Sequence, residues 1–311
     1  MKENKRNSTF GKEVEYFNGK EWKTISSYSR GDKILTFFAE DNHVELLEPI
    51  QYIRKNNTLY RIQLRGLDFS LNGGATFIGE YRNSYKTQNA DYDSDVKIQY
   101  IVTMEEMVNS NFVICSHFKA YNTFKYNSTT TSMLSSDQLR IMALSIMYGE
   151  IDGMWCTLKT KNKNLYKHLL KCINHERINH KKISSKDEYI VEYLMPRSKE
   201  LFCTSPLMLS AEEVIVLVDE FDKGFAKNKM VCNDSQIKDF IQLVYAMYGK
   251  RIIVNDKHIT KSQNGYTLLE RDGKHERSKE RLCYSFTTRS GYFVIRNNGR
   301  IYIVGDLKRQ G

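Results

Sequence analysis

The sequence predicts an α+β protein in which an all-β domain is assembled from both chain ends and an α/β domain is inserted between them. Three observations lead there. Short strand-like runs separated by turn residues fill residues 1 to about 120 and return after Cys283. Between them the apolar spacing changes to that of helices. The terminal strands are too few to stand alone, since an isolated hairpin is marginal, so they are expected to pack into the N-terminal β unit. The predicted parts are 1–128, 129–275 and 276–311.

The opening strands are Val14 to Phe17, closed by Asn18-Gly19; Lys33 to Phe38, closed by Asp41-Asn42; Glu45 to Ile53, closed by Asn56-Asn57; and Leu59 to Leu64. Asn-Gly tolerates positive φ and suits a hairpin. Lys119 to Ser136 is polar and Ser/Thr-rich and reads as a linker. A helix capped by Ser135 or Ser136 then starts near Asp137, turns Leu139, Met142, Ala143 and Ile146 to one side, and ends at Tyr148-Gly149. Asn164 to Ile173 forms a second helix with Leu165, Leu169, Leu170 and Ile173 inward. Ser210 caps a third, Ala211 to about Phe221, apolar almost all round and therefore expected to be buried. The fourth runs from Ser235 to Tyr248 and stops at Gly249. Asp256 to Arg281 reads as a second long polar connection. The chain closes with Tyr292 to Ile295, a turn at Asn297-Asn298-Gly299, and Ile301 to Val304.

Composition narrows the class. The 311 residues leave room for about two domains. No window approaches the ~18 consecutive apolar residues of a membrane helix, so no membrane partner is expected. The basic N-terminus lacks the apolar core of a secretory signal. An intracellular, cytoplasmic protein is expected. Six cysteines stand singly without CxxC spacing, which fits reduced thiols better than disulfides or a zinc site. His168, His175 and His180 form a local cluster that fits a solvated basic surface better than a metal site. The net charge of +10 makes a polyanion the default partner. It concentrates in Lys159 to Asn164 with Lys167 and Lys171, in His180-Lys181-Lys182, and in Arg271 to Arg281.

Specific strings carry a resemblance. Trp22-Lys23-Thr24-Ile25, Tyr28 and Gly31-Asp32-Lys33-Ile34-Leu35 resemble the early strands of inteins, and the stretch from Arg281 to Asp306 resembles an intein's closing strands. Asp137 to Met142, and Asp239 to Leu243 with Gly249-Lys250-Arg251, are similar to LAGLIDADG homing endonucleases. The resemblance covers residues 13 to 306. It implies a Hint-like β domain with an inserted LAGLIDADG-type domain, and duplex DNA as partner.

The resemblance also shows departures. Intein splicing uses an N-terminal Cys or Ser, a Thr-x-x-His pair and a terminal His-Asn. No histidine lies between His43 and His117, so the block around Leu67 to Asn72 lacks its base, and Gly305-Asp306 stands where His-Asn belongs. Ser8 and Thr9 read either as relics of a nucleophile or as ordinary polar residues. A degenerate, splicing-deficient centre is expected.

In the endonucleases, an acid at the foot of each of two packed helices holds Mg²⁺, which takes oxygen ligands. Here Tyr148 occupies the first foot, with Glu150 or Asp152 able to compensate only if the foot shifts by a turn. Asp222 best matches the second. These three are the candidate catalytic residues, and Asp222 and Glu150 the candidate metal ligands. Lys223 replaces the motif's glycine, which puts tight helix packing in doubt. A solvated helix end capped at Gly224 is the plain alternative. The candidate DNA-binding residues are Lys159, Lys161, Lys163, Lys181, Lys182 and Arg251. Two functions remain open: a DNA-binding protein that nicks or cuts with Mg²⁺, and an inactive descendant serving as a structural or accessory DNA- or protein-binding component of a virus or phage. A protein partner could use the aromatic loop Tyr81 to Tyr92.

Overall fold

The computed structural model describes residues 8–64, 67–72, 74–81, 99–103, 118–126, 134–184, 188–203, 206–262, 266–269 and 274–306. Sheets and helices make it an α+β protein of two compact units. The first comprises Met1–Lys125, Gly249–Arg251 and Gln263–Gly311; the second comprises Tyr126–Tyr248 and Ile252–Ser262. Most of the Tyr81 to Tyr92 loop and part of Arg271 to Arg281 lie outside the described residues. Among the described residues no helix is long and apolar enough to cross a membrane. The described cysteines are free, and all but Cys232 are buried.

In the first unit the chain ends share sheets. Strand Tyr292–Asn297 lies antiparallel to Ile34–Phe38, and its hairpin mate Arg300–Asp306 pairs with Ala75–Tyr81. Asn298 and Gly299 both adopt positive φ in that hairpin's turn, as a two-residue connection of this twist requires. Arg296, on the penultimate strand, bonds Glu15 through Nε at 2.6 Å and lies 4.7 Å over the Trp22 ring. In a separate sheet Lys274–Thr287 pairs along Gln51–Leu64. The core joining these elements is largely aromatic: Phe286 meets Phe293 edge-on at 5.5 Å and Tyr16 at 5.4 Å.

Three expectations are corrected here. Asn56-Asn57 is not a turn: Gln51–Leu64 is one strand, and the pair lies opposite Leu282 and Arg281. The facing strand offers the pair backbone partners, and Asn57 donates its amide to Thr9 Oγ1 at 3.1 Å. The expected linker Lys119 to Ser136 begins within strand Phe118–Tyr121. The expected connection Asp256 to Arg281 contains His258–Lys261 and Tyr266–Leu269, and the start of Lys274–Thr287. Polar strands escape a reading based on apolar runs.

Among the described residues the second unit has five α-helices: α1 (Ser136–Tyr148), α2 (Lys163–His175), α3 (Lys199–Cys203), α4 (Ala211–Gly224) and α5 (Ser235–Tyr248). Capping boxes start two of them. Ser135 and Gln138 bond reciprocally at α1, and Ser210 and Glu213 at α4. Helices α1 and α4 pack together, and their buried Leu139, Met142, Ile146, Leu217, Val218 and Phe221 lie in one core. One sheet orders its strands Gly149–Asp152, Trp155–Thr160, Tyr189–Leu194, His180–Ser184; a smaller one orders Lys229–Val231, His258–Lys261, Ile252–Val254. Helix α4 runs three residues past Phe221 and is two-sided rather than buried all round, since Ile215 is exposed and Glu212 and Asp219 face water.

Candidate functional site

The feet of α1 and α4 meet. A Cβ placed on Gly224 would lie 2.6 Å from Met147 Sδ, 2.9 Å from Met230 Cε and 3.3 Å from Tyr148 Oη. Gly224, one residue beyond Lys223, thus sits against the side-chain ends of Met147, Met230 and Tyr148, and α1 and α4 pack together despite the lysine. Gly149, at the α1 foot, is equally crowded: a Cβ there would meet Cys156 Sγ and the Ser145 carbonyl.

Tyr148 holds the α1 foot. Burial, and then the Glu220 carboxylate, raise its pKa, so the phenol keeps its proton. At the α4 foot Asp222 is engaged within the unit. Its Oδ1 sits 2.7 Å from Lys261 Nζ and accepts a hydrogen bond from the fully buried Tyr245 hydroxyl. Lys261 also lies 4.7 Å over the Phe225 ring. Glu220, almost fully buried, accepts from His168 Nε2 at 3.2 Å and from Lys223 at 2.7 Å. A hard divalent cation needs several anionic or neutral oxygens without a competing cation. One carboxylate already paired with an ammonium, beside a protonated phenol, does not fit that demand.

The other sequence candidates lie elsewhere. Glu150 and Asp152 are on a strand, not at a shifted helix foot, and Glu150 bonds Lys159 at 3.0 Å. Helix α1 ends at Tyr148 because Gly149 turns extended there. Lys159, Lys161, Lys163, Lys181 and Lys182 are all exposed. Arg251 is a correction. It is buried at 8% exposure, so its guanidinium is not presented at the surface as the five lysines are, and burial lowers its pKa. The histidine cluster is also not a loose surface: His168 binds Glu220 and His175 binds Asp137 at 2.6 Å, tying α2 to α4 and α1. Asp137, His175 and Glu176 stand close enough to share an ion, but Arg140 occupies Asp137 at 2.6 Å and Ser135 bonds Glu176. A cavity of ≈ 360 Å³ is lined by residues that include Met147, Met230, Lys199 and Asp234; the last two satisfy each other at 2.8 Å.

A second cluster lies in the first unit, where the chain ends converge. Ser8 donates to the Gly305 carbonyl and to that of Gly74 at 3.2 Å, and Thr76 donates to Gly305 as well. Thr9 N donates to Asn72 Oδ1 at 2.8 Å. Ser8, Thr9 and Thr76 are fully buried. Hydroxyls spent as donors to carbonyls fasten strands; the geometry is that of a buried staple.

Sequence reasoning missed Glu220, Tyr245, Lys261, Asn72 and Thr76. Only Glu220 left a signal, three residues after inward Leu217 and four before Gly224, on the packed side of α4. Tyr245 and Lys261 reach Asp222 from elements far along the chain.

An α+β chain of two units, one in which both ends of the chain share a sheet and one helical with its own core, is the class this geometry defines. No family model and no curated protein matches it. Among solved structures, it is similar to the AceL NrdHF class 3 split intein in a splice-inactive variant, at 8% identity over 96% of this chain and 97% of that one, with a TM-score of 0.36. It is also similar to a variant of I-DmoI in complex with its target DNA in the presence of manganese, at 12% identity over 44% of this chain and 89% of that one, with a TM-score of 0.31. A further I-DmoI complex with DNA and manganese gives 10% identity, over 44% and 93%, and a TM-score of 0.28.

Proposed function

We propose that this chain is an intein-derived, splicing-deficient DNA-binding protein of the homing-endonuclease type, one that holds duplex DNA without cutting it. In that reading the Hint-like frame is formed by both chain ends and the LAGLIDADG-type unit is its insertion. The observation that carries it is the pairing of Tyr292–Asp306 with Ile34–Phe38 and Ala75–Tyr81, with a helical unit that has its own core interposed in the sequence. The +10 charge supplies the affinity for phosphate. Loss of splicing is supported by Gly305-Asp306 at the closing strand and by Ser8 committed to carbonyls. Loss of cutting is supported by Tyr148 at one helix foot and the Lys261-paired Asp222 at the other.

A second reading, metal-dependent nicking, is favoured by the retained acid at Asp222. Salt-titrated binding to random duplex, followed by plasmid nicking assays with Mg²⁺ and Mn²⁺, separates the two. Binding that tightens as salt falls, with plasmid left supercoiled, is expected. Metal-dependent nicks abolished in Asp222→Ala would establish the nuclease instead. Affinity too weak to measure even at low salt would remove the DNA role altogether.

A further inference from the structure

Helix α2 ends beside the start of α1, and side chains of four kinds meet there, away from the α1 and α4 feet. Cys172, His175 and Glu176 follow one another at i, i+3 and i+4, which puts them on one side of the last turn of α2. Asp137 faces them from the first turn of α1. Its Oδ2 lies 2.6 Å from His175 Nδ1, and its Oδ1 lies 3.5 Å from the sulfur of Cys172, a thiol only 2% exposed. One ligand atom each from Asp137, His175 and Glu176 fall within 4.8 Å of one another. All four residues belong to the second unit.

These donors differ in kind from those at the helix feet. At Asp222 one carboxylate oxygen is shared by an ammonium and a phenol. Here two carboxylates, an imidazole and a thiol converge, the mixed oxygen, nitrogen and sulfur set of zinc-type ions rather than of Mg²⁺. The spacing suits such an ion. Oxygen or nitrogen at about 2.0 Å and sulfur at about 2.3 Å around a tetrahedral centre stand about 3.3–3.5 Å apart, so the Cys172–Asp137 separation is already that of two ligands. His175, whose side chain is 75% exposed, and the half-buried Glu176 have room to close the remaining distance. Two neighbours compete without filling the site. Arg140 holds Asp137 Oδ1 at 2.6 Å, but its side chain is 36% exposed and can turn to water, and ion pairs of this sort are worth little. Ser135 bonds one oxygen of Glu176 and leaves the other for a metal.

We infer that Asp137, Cys172, His175 and Glu176 form a site for one zinc-type divalent ion, which fastens the first turn of α1 to the last turn of α2. The ion takes the place of the protons now lying between these groups, the thiol proton included. Because the ligands come together only in the folded unit, the bound ion stabilises it. The site owes nothing to DNA, so it stands apart from the reading above.

The test titrates the full chain, stripped by a chelator, with ZnCl₂ in a calorimeter and with CoCl₂ in a spectrophotometer. One equivalent of zinc is expected to bind and to raise the thermal unfolding midpoint, undisturbed by millimolar Mg²⁺. Cobalt is expected to give tetrahedral absorption with a thiolate charge-transfer band that Cys172→Ser removes. In His175→Ala/Glu176→Gln, zinc affinity is expected to fall more than about 100-fold. Arg140→Ala, which relieves Asp137 of its competitor, is expected to bind zinc more tightly than wild type, a gain that mere damage to the fold would not produce. His43→Ala serves as the control, since His43 lies between Asp41 and Glu45 in the first unit. Absence of stoichiometric zinc binding overturns the inference. So does wild-type affinity in both the double variant and Arg140→Ala, or loss of binding in His43→Ala alone.

Discussion

Asp32 shows how a single side chain can serve a fold. The Gly31-Asp32 pair reads in the sequence as a family mark, and the structure gives it work: its carboxylate accepts from Tyr16 at 2.6 Å and pairs with Lys23 at 3.3 Å. The Tyr16 bond, outweighing burial, lowers the Asp32 pKa below the ordinary carboxylate range. The folded state therefore releases this proton more readily than the unfolded chain. Its contribution is complete above about pH 4 and is lost as pH falls below that value. Asp32→Asn is expected to cost about 1.5–3 kcal/mol at pH 7 in urea unfolding, and to narrow the gap to wild type in acid. Glu220 is the corresponding case in the second unit. Its neighbours His168 and Lys223 retain solvent access, so Glu220→Ala strands no fully buried charge. About 1–3 kcal/mol is expected, and a double-mutant cycle with His168→Ala should show non-additivity. Arg251 marks the limit of reading residues by type, because a guanidinium within a basic segment looks like a phosphate contact until its burial is seen.

At the level of elements, helices were legible and several strands were not. Ser135 with Gln138 and Ser210 with Glu213 are local signals, complete within four residues, and helix starts follow from them. Gln51–Leu64 passes through two asparagines because Lys274–Thr287 lies alongside, more than 200 residues later. No local pattern announces that partner. The α1–α4 contact adds a prediction of its own. The atoms nearest Gly224 are the far ends of Met147 and Met230, which can yield to one methyl group but not to a branched chain. Gly224→Ala is expected to cost under about 1 kcal/mol and Gly224→Leu about 1–3 kcal/mol, read from the chemical denaturation midpoint.

For the molecule as a whole, the closing hairpin decides whether the first unit exists. Tyr292–Asn297 and Arg300–Asp306 lie between Ile34–Phe38 and Ala75–Tyr81, so truncation after Ser290, which removes both strands and Arg296 with them, opens the sheet in its middle. Trp22 reports the result. It is 8% exposed beneath Arg296, whereas Trp155 is already 52% exposed. The truncated chain is expected to show a red-shifted tryptophan emission while the helical circular dichroism of the second unit persists. An unshifted spectrum would mean that the opening strands hold together without their partner. By itself the sequence determined the α+β class, the positions of the main helices and the need for the two chain ends to meet, because caps, periodicity and strand count are local or additive properties. Only the tertiary structure decided which polar residues are spent. Asp222 on Lys261, Glu220 on His168 and Ser8 on Gly305 are pairings across long stretches of chain, fixed by packing rather than by neighbours in sequence.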